Sequence, residues 1–157
     1  NLIKRSDFAY YFGHQRSHNS RSTKIPKDIT ILLLDNKYQI VDYFHFLKFN
    51  KWFKEALFEN GIMPIEQNET NDCDNYAMLY KSFFIVASYS SKSKIELAVG
   101  LVIVNQKNEF GGIPSGGLHM LNIVFANKNF YIFEPQTGKF IELDKYPNQE
   151  SILHIII

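Results

Sequence analysis

The chain has 157 residues, 45% of them hydrophobic and 15% aromatic, with a formal net charge of +1. That composition excludes a disordered chain and fits a single domain with a sizeable core. The near-zero charge leaves no global field that would call for nucleic acid.

Residues 1–28 read as a peripheral segment. Ser6 and Asp7 are placed to cap a short helix through Phe8 and Phe12, which Gly13 would break. The stretch from His14 to Lys27 also carries His18, Arg16, Arg21 and Lys24. It reads as a solvated basic loop, with an arm for an acidic partner as the sharper alternative. Ile29 to Leu34 predicts a strand, and Asp35-Asn36-Lys37 a turn. From Val41 to Glu59 the recurrence of Phe44, Leu47, Trp52, Phe53 and Leu57 predicts a helix, stopped by Asn60-Gly61. Neither apolar run, Ile31–Leu34 nor Ala98–Val104, is long enough to span a bilayer. No secretory signal pattern opens the sequence. The lone cysteine, Cys73, excludes an internal disulfide and leans toward a cytoplasmic setting.

The stretch that organises the reading is Asp72-Cys73-Asp74-Asn75-Tyr76-Ala77. Thr70, Asn71 and Asp72 can each cap a helix. Tyr76, Leu79, Tyr80, Phe83 and Phe84 then recur at helical spacing. Cys73 therefore falls in a first helical turn, where free N–H groups and the helix dipole favour a thiolate. The bland alternative is an inert buried thiol, and Asp72 and Asp74 would oppose ionisation.

Further along, Ile95–Val104 predicts a strand. Residues 111–117, with four glycines, predict a flexible loop that could border a cleft as a lid. Leu118–Phe125, Phe130–Glu134, Phe140–Leu143 and an edge strand at Ile152–Ile157 complete an antiparallel meander. The fold class expected is α+β: N-terminal helices, including the Cys-bearing one, packed on an antiparallel sheet.

His119 opens a strand directly after the glycine-rich loop. A two-residue turn at Asn127-Lys128 would set Glu134 opposite Leu121, and one at Lys128-Asn129 would set it opposite Ile123. Either puts Glu134 on the face of His119. A three-residue turn would present Asn122 as the orienting residue instead. Gln67 is a candidate oxyanion donor six residues before Cys73.

The Asp72–Ala77 motif, with Gly117-Leu118-His119 and then Glu134, resembles the signature of bacterial transglutaminase-like cysteine peptidases of the papain-like superfamily. The likeness covers roughly residues 50–145. It implies Cys73 as nucleophile, His119 as base and Glu134 as orienter, with calcium at Asp72 and Asp74 as a weaker implication. The function it implies is a hydrolase or acyl transferase acting on a peptide or amide, with no cofactor. The alternative is a non-catalytic binding domain that keeps the fold, and a third option is a metal site on His119, Glu134 and Asp72.

Overall fold

The computed structural model describes residues 2–14, 24–26, 28–62, 72–90, 95 and 97–157. Strand β1 (Leu2–Lys4) leads into helix α1 (Arg5–His14). Strands β2 (Thr30–Leu32) and β3 (Lys37–Gln39) precede the long helices α2 (Tyr43–Glu59) and α3 (Cys73–Ser90). Five strands follow: β4 (Val99–Asn105), β5 (Leu118–Ala126), β6 (Asn129–Glu134), β7 (Lys139–Glu142) and β8 (Ile152–Ile156).

The expectation of helices followed by an antiparallel meander is corrected in three ways. The main sheet has six strands in the order β2-β8-β4-β5-β6-β7, and it is mixed, because β2 runs parallel to β8. A separate two-stranded sheet joins β1 to β3. Strands are interleaved with the helices from the start of the chain. The C-terminal strand is no edge: β8 lies between β2 and β4. Its apolar residues Ile152 and Ile155 are buried there, and that burial rewards an interior position.

Both faces of this sheet are covered. On one, Phe46, Phe49 and Phe53 of α2 and Tyr76, Tyr80 and Phe84 of α3 pack with Val99, Val124 and Phe133. On the other, Phe8 and Phe12 of α1 and Tyr38 of β3 pack with Leu121, Ile123, Phe125, Phe130 and Ile155. The Tyr38 hydroxyl donates to the Ile157 carbonyl at 2.8 Å and accepts from the Asp35 N–H at 2.7 Å, which ties the small sheet to the end of the chain. Double coverage explains why β5 and β6 read as near-continuous apolar runs rather than alternating ones.

Helix α2 begins where the Asp42 carboxylate accepts the His45 N–H at 2.9 Å. It ends where Gly61 takes φ 69°, a left-handed conformation suited to glycine. Trp52, placed by its spacing on the apolar face of α2, is not buried. It is about half exposed and meets Phe83 of α3 edge-on, with ring centroids 5.7 Å apart. None of the described helices is long and apolar enough to cross a membrane.

Gly100 of β4 lies tight against the end of β8. A Cβ there would stand 2.2 Å from the Ile156 carbonyl oxygen and 2.8 Å from an Ile157 side-chain carbon. Backbone cannot yield as a side-chain tip can. Gly100→Ala is expected to lower stability by about 3 kcal/mol or more in urea unfolding, whereas Met78→Ala, at an exposed α3 position, should stay within about 0.5 kcal/mol.

Candidate functional site

The site is built by one hairpin and one helix tip. The β5–β6 turn is Asn127-Lys128, both with positive φ (47° and 65°), and Ala126 stands opposite Asn129. That is the type I′ geometry whose twist suits a two-residue hairpin. Counting on from Asn122 opposite Phe133 sets Glu134 across from Leu121. His119, two residues from Leu121, then shares its side. His119 Nε2 and Glu134 Oε2 are 2.6 Å apart, and the residues are 5% and 0% exposed. The other carboxylate oxygen accepts the backbone N–H of Gln136 at 3.0 Å. Both oxygens of a fully buried carboxylate are thus satisfied, as its burial requires.

Asn122 does not take the orienting role. It lies on the opposite face, where its side-chain N–H groups donate to the Ala77 carbonyl at 2.9 Å and the Gly100 carbonyl at 3.2 Å. It fastens α3 to the sheet. The physical reason is strand alternation, which sets Asn122, three residues from His119, on the other face whatever the turn, while the two-residue loop brings Glu134 to the side of His119.

Cys73 is the first residue of α3 and is half-buried. Asp72 precedes it as the cap, its side chain accepting the Asn75 N–H at 3.4 Å. The side chains of Asp72 and Asp74 share a hydrogen bond, which holds the Asp72 carboxyl below the usual carboxylate range and pushes Asp74 above it. Among the described residues no group of three or more His, Cys, Asp or Glu side chains is placed to hold a metal. Gln67 lies outside the described residues, as do Asn71, His18 and most of the basic stretch.

Cys73 and His119 meet through their side chains. Burial works against a charge on His119, but the hydrogen bonds to Cys73 and Glu134, with the Coulombic pull of both, outweigh it and raise its pKa to about 9. Since Nε2 is taken by Glu134, Nδ1 is the ring nitrogen left for the sulfur. The cluster can therefore keep a proton on His119 at neutral pH, beside a sulfur and against a carboxylate. A thiol held in this way can be taken up by electrophiles.

Cys73 and His119 line a cleft of about 590 Å³, with Glu134 buried behind them. Asp72, Leu118, Gln106, Gln136 and loop residues 112–116 complete its lining. The glycine-rich loop borders the cleft. Two lining residues were not singled out as site residues in the sequence: Gln106, just past β4, and Gln136, just past β6. A polar residue one or two positions after a strand that ends at the site is the signal that would point to them.

No family model and no curated protein matches the chain. Solved structures do match its fold. One is the lectin of Polyporus squamosus bound to the human-type influenza-binding epitope Neu5Acα2-6Galβ1-4GlcNAc, with a TM-score of 0.67 at 13% identity, covering 99% of this chain and 49% of the lectin. Another, described as a PSL1a–E64 complex, has a TM-score of 0.63 at 13% identity, covering 99% of this chain and 50% of that one. The chain spans about half the length of these neighbours, and the likeness is one of fold. The fold is that of these solved structures, and no comparison supports the transglutaminase-like peptidases. That family assignment is withdrawn, and with it the hydrolase or acyl-transferase activity and the peptide or amide partner it implied. A six-residue motif at a helix start specifies a local arrangement, and a local arrangement does not fix a family.

The shift on His119 gives a pH dependence. Its pKa is raised above the ordinary histidine value of 6.5, so the stabilisation from this cluster is complete below about pH 6.5 and is lost as pH rises through about 9. NMR titration of the His119 ring should show a midpoint near 9 in the wild type. Cys73→Ala and Glu134→Gln should each bring the midpoint down toward 6.5. A wild-type midpoint at or below 6.5 would contradict the geometry.

Proposed function

We propose that this chain is a binding module, without catalytic turnover, that recognises a glycan in the cleft at the tip of α3. The observation that carries the reading is the make-up of the cleft. Buried polar groups from His119, Gln106 and Gln136 form its interior, and Ile113, Pro114 and Leu118 give it an apolar wall. A sugar needs that combination, with hydrogen-bonding groups for its hydroxyls and an apolar surface for its C–H face. The volume lies in the ordinary range for a small-ligand site, a few hundred Å³. The fold shared with a lectin solved with a sialylated trisaccharide supports the same reading.

Isothermal titration with Neu5Acα2-6Galβ1-4GlcNAc tests it on this chain alone. Saturable binding is expected, weakened roughly tenfold or more by Ser115→Trp, which fills the cleft from an exposed loop position. Phe44→Ala, at an exposed position outside the cleft lining, should leave it unchanged. Binding that ignores Ser115→Trp contradicts the placement, and absence of binding contradicts the glycan.

The contact between Cys73 and His119 favours a second reading of the same cleft, as a thiol-bearing site that retains an electrophilic ligand on Cys73. The neighbour solved with E64 supports it. Intact mass after incubation with E64 should show an adduct that both Cys73→Ser and His119→Ala abolish. An unmodified wild-type mass rejects this reading.

A further inference from the structure

Gln106 holds the glycine-rich loop with every donor it has. Its side-chain Nε2 donates to the Ile113 and Pro114 carbonyls, both at 2.9 Å. Its backbone N–H donates to the Gly117 carbonyl at 2.9 Å, and its carbonyl accepts from the Gly116 N–H at 2.9 Å. These contacts fix which way the amide points, because turning it over would set its oxygen against two carbonyl oxygens. What remains is Oε1. The residue is 2% exposed and lines the cleft, yet Oε1 is a buried acceptor with no hydrogen-bond partner among the described residues. A buried acceptor left unmade costs free energy, and a bound donor recovers it.

We infer that Gln106 is a ligand-selecting residue of the cleft, its side-chain carbonyl accepting a hydrogen bond from an O–H or N–H of the bound molecule. This rests on the binding reading above and sharpens it. The ligand presents a donor at the loop side of the cleft. A group with acceptors only, such as an ether or a phosphate dianion, is disfavoured there, because it would face a second lone pair.

The test follows the Gln106 side-chain NH₂ signals in ¹H–¹⁵N spectra of the wild-type protein, assigned by their loss in Gln106→Met. On titration with Neu5Acα2-6Galβ1-4GlcNAc these signals should shift along the same saturation curve as the backbone amides of Ser115 and Gly116. The fully O-methylated trisaccharide, which keeps the shape but loses the hydroxyl donors, should bind roughly tenfold more weakly or worse. Gln106→Met should weaken the parent trisaccharide similarly. Because that variant also releases the loop, the wild-type spectrum decides. If the loop amides titrate while the Gln106 side chain stays still, the inference is overturned and the binding reading stands. Equal affinity for the methylated sugar also overturns it. If no cleft signal moves, both fall.

Discussion

The hydrogen bond between His119 and Glu134 is the contact on which the cleft depends. A carboxylate with no exposure to solvent is costly to bury, and it persists here because each oxygen has a donor. Removing either partner of such a buried pair commonly costs about 3–5 kcal/mol. The pair exists because of the tight turn one hairpin away. Asn127 and Lys128 both accept positive φ, the turn closes in two residues, and the register carries Glu134 to the side of His119. One residue more in that loop would put Glu134 on the other face.

From that pair the rest of the site follows outward. His119, held from behind, reaches the sulfur at the tip of α3, and α3 is held in place by Asn122 from the opposite face of the same strand. A single strand thus carries one side chain that fixes the helix and another that meets its first residue. The glycine-rich loop closes over Glu134 from the other side. Gly111 takes φ 64°, and a Cβ there would lie 3.2 Å from the Glu134 Cβ and 3.1 Å from the Thr137 hydroxyl oxygen. The loop's path over the buried carboxylate is open only to a residue without a side chain.

The parts legible in the sequence were those with a local cause. The α2 pattern, the Asn60-Gly61 stop, the cap at Asp72 and the turn around Asn127 each depend on neighbours in the chain. The pairing of β8 between β2 and β4 was not legible, because Ile152 to Ile157 has the same composition whether it lies at an edge or inside a sheet. The two short strands β1 and β3, three residues each, carry no periodicity to read. Gln106 was hidden for a similar reason, as its place in the site is set by carbonyls seven and eight residues away. The family resemblance failed as a guide because it rested on a short motif, and the same Cys, His and acid order suits a domain whose fold matches a lectin.

The central claim is that the cleft at the tip of α3 takes the ligand. Amide hydrogen exchange with and without Neu5Acα2-6Galβ1-4GlcNAc tests it most directly. The account predicts slowed exchange confined to the first turns of α3, Gln106 and residues 112–119. Slowing centred instead on the half-exposed Trp52 and Phe83 of the α2–α3 face, or none at saturating sugar, would contradict it.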